Sequence, residues 1–507
     1  MDIITLAYFI FVAITAIVYW TLNGKNKWIV ILFSSLLFFF INSKPTTIVY
    51  LLYSSASVYV GAIILKKIND RGKRLVAIFV VLSNIAILGV LKYSNLVIDA
   101  LNFIGPAFNQ NAPVFNRVNF IAPLAISFYT LQIIGYFIDC YRGEIDAEDN
   151  FLKLMLFTCY FPMMVSGPIC RYGHMKKTLF RNNHFDYQRV SKGIKEIAFG
   201  LMKKLAVGNR MLSIVSIIDS DISKYHGYYI WISALLYSLY LYMDFSGCMD
   251  IISGVSNILG INLPRNFRAP FFSKSTKEFW RRWHITLGAW LRDYVLDSLL
   301  KARAFINFTK FLIKQFGRKR GRNISVYISM LSVWICMGIW HGDGWKYVLG
   351  EGLWYWFVIV LGMIFKSQSE KACKILKINI NSAYWHFFQS FRTVIIFSVG
   401  NLFFKAESLK AAFYQIKMAF SIKCVGFSFD SLIHNNPNVN GVVNTLVLLA
   451  ALSLVLIADI EIYRDKCLLD IISKENIFVR WGIYTLIVVI IVLSLGTHSE
   501  QFAYAKF

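Results

Sequence analysis

Repeated apolar runs, each close to the length of a bilayer crossing, dominate this chain. Ile3–Leu22, Trp28–Ile41, Thr47–Leu65, Leu75–Leu91, Gly441–Ile460 and Trp481–Leu495 are examples. A spanning helix needs ~20 apolar residues, and in lipid only helices or closed barrels satisfy the backbone. Charged residues make up 16% of the chain, against about 25% in soluble domains. The expected fold class is therefore all-α, a polytopic helical membrane protein of about 10–12 spans. The shorter runs would lean on flanking residues or on local thinning of the bilayer.

Charge placement orients the chain. The opening MDIITLAYFIFVAITAIVYW carries Asp2 alone and lacks the basic leader of a cleaved signal peptide, whereas Lys25 and Lys27 follow it. The positive-inside rule then puts the N-terminus outside, with the basic clusters Lys66–Arg74, Arg171–Arg181 and Lys301–Arg322 in the cytoplasm. There they would favour anionic lipid heads and phosphate-bearing substrates. No nucleic-acid module accompanies the formal net charge of +25, so no nucleic-acid partner is expected. Eight scattered cysteines without a C-x-x-C pair fit neither a metal site nor a disulfide framework.

Four spans fit before residue 98, and Ile98–Asn119 then reads as an external loop. Phe120–Cys140 returns inward. FLKLMLFTCYFPMMVSGPIC is interrupted by Pro162, Gly167 and Pro168 and reads as a re-entrant or broken helix, tolerated only where protein or a water-filled cavity receives it. Ser191–Ile218 reads as one longer helix carrying Lys203, Lys204 and Arg210. Further spans are expected near Phe387–Phe404, Gly441–Ile460 and Trp481–Leu495, with an external loop at 425–440. The whole, 1–507, reads as one domain: peripheral helices in 1–98, a core in 120–365 and C-terminal helices in 387–507.

Two histidines stand out from this apolar shell. KEFWRRWHITLGAWLRDYV places His284 among Trp280, Trp283 and Trp290, and SVWICMGIWHGDGW places His341 between Trp340 and Gly342. The strongly basic segment Lys301–Arg322 lies between them as a loop. An ionisable side chain at membrane depth marks a functional site by default. At 3.6 residues per turn, Trp280, His284, Leu287 and Leu291 would share one helix face. Arg281 and Arg282 would either snorkel to the headgroups or, with Trp340 and Asp244, line the path of a charged donor. Asp244, closing the aromatic run YLYMDFSG, reads either as a helix-end carboxylate paired with an arginine or as a wall of an active cavity. Gly338, on the His341 side of its helix, leaves a groove for another chain or a ligand. One buried histidine is more often a packing residue. Two, joined by one loop, argue for catalysis, and histidine suits general-base work because it titrates near neutrality. G-x-S-x-G, dinucleotide and P-loop patterns are absent, so hydrolase triads and bound-nucleotide chemistry have no support.

FWRRWH…WLRDYV followed by MGIWHG resembles the membrane-bound O-acyltransferase family, and most of all its bacterial branch of alginate O-acetylation and D-alanyl-lipoteichoic acid transfer proteins. SFYTLQIIGYFIDCYRG, YFPMMVSGPICRY, DFSGCMDI, LPRNFRAPF, GNLFFKAESLKAA and the terminal FAYAKF extend the likeness along the chain. The chain departs from the branch after LRDYV, where LDSLLKARAF replaces a Pro-Leu-Gly-Gly-like turn, and at Asp343, where a small residue is common.

The resemblance implies that His341 is the essential histidine and His284 the second motif residue, at a central funnel through a bacterial plasma membrane. It implies a cytoplasmic thioester donor, acetyl-CoA or an acyl carrier, and no tightly bound cofactor. The acyl group would pass outward to a polysaccharide or cell-wall polymer, often through an SGNH-type or small membrane partner. D-alanyl transfer to teichoic acid is the nearest alternative, and a transporter for a lipid-linked glycan is an alternative of another class.

Overall fold

The computed structural model describes residues 2–108, 113–421, 436, 438–496 and 502. Among them every regular element is helical. Among the described residues seven helices are long and apolar enough to cross a bilayer; Leu6–Thr21, Trp28–Asn42 and Phe151–Met163 are apolar but shorter. Large side chains such as Leu6, Ile17, Phe33 and Phe79 point outward and exposed, an arrangement stable against hydrocarbon and costly in water. This is a polytopic helical membrane protein. The expected external loop at 425–440 and the terminal FAYAKF lie almost wholly outside the described residues.

The chain divides into two compact units, residues 1–201 with 247–265 and 501–507, and residues 202–246 with 266–500. In the first, Leu6–Thr21 and Trp28–Asn42 are joined by a buried hydrogen bond, Thr15 Oγ1 donating to Ser34 at 3.1 Å. The broken segment is as the prolines predict: a helix over Phe151–Cys159, one 3-10 turn at Phe161–Met163, then irregular chain. It survives because its backbone is enclosed and partnered. Gln132 Nε2 donates to the Phe157 carbonyl at 2.6 Å, and Phe161 N–H donates to Ser35 Oγ at 3.1 Å. A cavity lies beside the break, lined among others by Tyr129, Gln132, Thr158, Tyr160 and Met163. Elsewhere in this unit two helix faces meet through reciprocal glycines. A Cβ on Gly193 would lie 2.5 Å from the Gly254 carbonyl oxygen, and one on Gly254 2.4 Å from that of Gly193, so only glycine allows this approach.

The fourth helix corrects the sequence reading. It runs Asp70–Phe108, 39 residues, or about 58 Å at about 1.5 Å per residue, and takes in the first half of the expected external loop. Asn95 and Asn102, seven residues apart on one face, hold the returning chain as a strand would. Each amide exchanges two hydrogen bonds with backbone, Asn95 with Val118 and Asn102 with Phe115, all at 2.9 Å. Asp99 between them pairs with Arg117 at 3.2 Å.

In the second unit the basic segment expected as a loop is a helical hairpin. Arg303–Phe316 ends at Gly317, whose φ of 78° turns the chain into Arg318–His341. Thr309 and Ser325 hydroxyls bond across the hairpin at 2.7 Å. The lysines and arginines hid a helical period: Phe305 and Leu312, seven residues apart, are its buried residues, with Arg303, Lys310 and Lys314 on the opposite face. The expected helix at Ser191–Ile218 is continuous in outline, but its lysines fall in a π turn, Lys203–Gly208, between Tyr187–Met202 and Asn209–Ser220.

Candidate active site

His341 is the last residue of the helix Arg318–His341 and is buried. Its Nδ1 lies 2.8 Å from the Met337 carbonyl oxygen, one turn back. A carbonyl can only accept, so Nδ1 carries a proton, and in the neutral ring Nε2 is then the nitrogen with the lone pair. Aromatic rings wall the imidazole edge-on: Trp340 at 5.1 Å and Phe404 at 5.8 Å between centroids. The groove expected at Gly338 is not open to a ligand. A Cβ there would meet the Val348 Cα at 2.7 Å and the Tyr347 carbonyl oxygen at 2.9 Å. This chain's own next segment fills it, seating the His341 helix against the π turn Val348–Leu353.

His284 is held differently, and here the sequence reading fails. No helix runs through it. Thr276–Arg282 ends, His284 takes left-handed backbone angles (φ 45°, ψ 52°), and Ile285–Trp290 begins with His284 as its N-cap. Side chains at 280 and 284 therefore part company. Trp280 packs on Trp334 at 5.1 Å and Tyr355 at 4.8 Å, while His284 turns to Phe245 at 4.9 Å and Trp340 at 5.4 Å. Trp340 thus touches both imidazoles. The loop before the break holds it open: Ile285 N–H donates to the Asn266 carbonyl, and Arg268 N–H to that of Arg282, both at 3.0 Å.

The model of one protein family, the membrane-bound O-acyltransferases, matches residues 144–400, half of the chain and the stretch that carries both histidines. The chain belongs to this family. It is 29% identical over 73% of its length to the probable alginate O-acetylase AlgI of Pseudomonas aeruginosa, covering 64% of that protein. It is 26% identical over 74% of its length to the peptidoglycan O-acetyltransferase of Helicobacter pylori, covering 71% of it. Against the teichoic acid D-alanyltransferase of Bacillus subtilis it is 29% identical over 54% of its length, covering 66% of that chain. The match spans less than two thirds of the AlgI relative's own length.

The other expected site residues of this O-acyltransferase family member scatter. Arg281 is exposed. Arg282 pairs with Glu278 at 2.9 Å, donates to the Arg268 carbonyl at 3.2 Å and lies over the Tyr463 ring, so it ties the helix end to its surroundings. Asp244 is not at a helix end. It lies inside the helix Tyr228–Ile258 and meets Lys204 at 2.5 Å, their side chains 1% and 0% exposed. The residue after it, Phe245, is the one against His284, so this buried pair anchors a wall of the site.

The sequence reading missed Asn266, Phe404 and Glu351. Glu351 is a buried carboxyl in the π turn Val348–Leu353 whose Oε1 meets no hydrogen-bond partner among the described residues. Its signal was available: one acid within the apolar run YVLGEGLWYW.

Proposed function

We propose that this chain is a membrane O-acyltransferase. It moves an acyl group, acetyl in the first instance, from a cytoplasmic thioester toward an extracytoplasmic polysaccharide or cell-wall polymer. One observation carries the reading: His341 donates Nδ1–H to its own helix, which in the neutral ring leaves the lone pair on Nε2, as a general base requires. The acceptor hydroxyl gives its proton to His341 Nε2 as its oxygen attacks the thioester carbonyl. The C–S bond then breaks, and the proton passes to the departing thiolate, which leaves as the thiol. His284, across Trp340, orients the donor or assists proton transfer. The enclosing aromatic rings exclude water that would hydrolyse the thioester.

The names of the relatives support transfer to a polymer: alginate, peptidoglycan and teichoic acid. Acetyl-CoA or an acyl-carrier thioester acts as substrate, with no tightly bound cofactor. The protein sits in a bacterial plasma membrane, N-terminus outside, and an SGNH-type or small membrane protein receives the acyl group. D-alanyl transfer is the second reading, favoured by the teichoic acid relatives. The test is turnover of labelled acetyl-CoA and of a D-alanyl carrier by the full chain with its acceptor, in wild type and His341→Gln. Acetyl-CoA consumption that disappears in the variant supports the reading. Consumption of the carrier alone moves the donor to D-alanine, and polymer export without any thioester consumed makes the protein a transporter.

A further inference from the structure

The Asn266 side chain does more than line a loop. Its Oδ1 lies 3.1 Å from Thr286 N, 2.9 Å from Thr286 Oγ1 and 3.3 Å from His284 Nδ1. A backbone N–H can only donate, so the amide atom facing Thr286 is oxygen and its orientation is settled. The imidazole nitrogen facing that oxygen must then donate too. As a neutral ring His284 therefore holds its proton on Nδ1 and its lone pair on Nε2, the same tautomer as neutral His341, reached through an unrelated contact. The same residue's carbonyl accepts from Ile285 N–H, so Asn266 grips both the ring and the backbone around it. That grip falls on a histidine at a φ of 45°, a conformation that is strained for a non-glycine residue and persists only where its surroundings over-determine it.

We infer that Asn266 is the positioning residue for His284, fixing both its left-handed backbone and its Nδ1–H tautomer so that Nε2 faces the reacting groups as an acceptor. This rests on the acyltransferase reading only for its consequence; the tautomer itself can be observed without turnover. An asparagine is suited to the task. A carboxylate in its place would accept the same three hydrogen bonds but add a charge that stabilises the imidazolium and takes away the lone pair.

The test uses full-length protein in liposomes with 15N-labelled histidine, the His284 signals being assigned by their loss in His284→Gln. Wild type, Asn266→Asp and Asn266→Leu are compared by 15N shifts across pH and by the pH–rate profile of acyl transfer. Wild type is expected to show Nδ1 protonated and Nε2 bare. Asn266→Asp, near-isosteric and folded, is expected to hold the imidazolium to a pH higher by at least about one unit. Its transfer activity is expected to fall below the raised titration point of His284 and to recover on the alkaline side of it. Asn266→Leu is expected to lose the single tautomer. Identical His284 signals in all three proteins, or a wild-type proton on Nε2, overturn the inference. A wild type that shows the Nδ1–H form, with the shifts moving as expected but no acyl transfer, leaves Asn266 in its role and removes the proposed function instead.

Discussion

The two histidines reach one chemical state by opposite routes. His341 is oriented by its own helix, through the carbonyl of Met337 four residues back. His284 sits at a break between two helices and is oriented by an amide from a residue 18 positions away. The first arrangement is nearly automatic once the helix forms, since side chains on a helix lean toward its N-terminus and bring the ring to the carbonyl one turn back. The second exists only if loop, break and helix start assemble together. A locally held group tolerates changes around it, and a remotely held one inherits every weakness of its supports.

The largest effect that would sharpen this contrast is chemical. His341→Gln is expected to reduce acyl transfer by about 10²–10⁴-fold, the range of a lost general base, with protein yield and thermal unfolding unchanged. A smaller loss than that of His284→Gln would exchange the two roles.

Next in size is the support beneath Phe245. Asp244→Leu takes the carboxylate away from the buried Lys204 ammonium and is expected to cost about 3–5 kcal/mol of stability. Lys204→Met with Asp244→Leu is expected to recover most of it, because neither charge then remains buried alone. Thermal unfolding of the two variants decides the point, and equal losses would show that the uncompensated Lys204 charge is not what destabilises Asp244→Leu.

On the His341 side, Gly338→Val must displace the Val348 backbone. It is expected to cost about 1–3 kcal/mol as an overpacked contact. Transfer activity should drop with it, whereas the same substitution at Gly362, where a Cβ meets nothing within 4 Å, should leave stability within about 0.5 kcal/mol of wild type. The smallest expected effect is Thr286→Val, which removes one of three donors on Asn266 Oδ1 and should cost about 1 kcal/mol. If transfer measured at several pH values is untouched, the amide is held without that hydroxyl.

How much of this was legible beforehand varied with the range of the contact involved. Spans such as Thr47–Leu65 and Trp481–Leu495 were readable because hydrophobicity is a local sum, and the structure returns them as Ile48–Leu65 and Ile477–Ser494. The break at Pro162 was readable because proline removes a donor and clashes wherever it sits. The hairpin over Lys301–Arg322 was misread because charge density masked a spacing of seven between Phe305 and Leu312. The long fourth helix was misread because the weakly charged stretch Ile98–Asn119 suits an external loop until the backbone at Phe115 is seen held against Asn102.

The sequence by itself determined that this chain lives in a bilayer as a bundle of helices, that it belongs with the membrane-bound O-acyltransferases, and that His284 and His341 lie within the matched stretch. It also contained the hold on His341, since a residue and its carbonyl four positions back are neighbours in any helix. Only the tertiary structure decided the rest: that Val348 fills the space at Gly338, that Lys204 neutralises Asp244, and that the helix breaks at His284 under Asn266. Each of these depends on groups brought together from distant positions, and no periodicity in one strand of sequence encodes the partner that packing supplies.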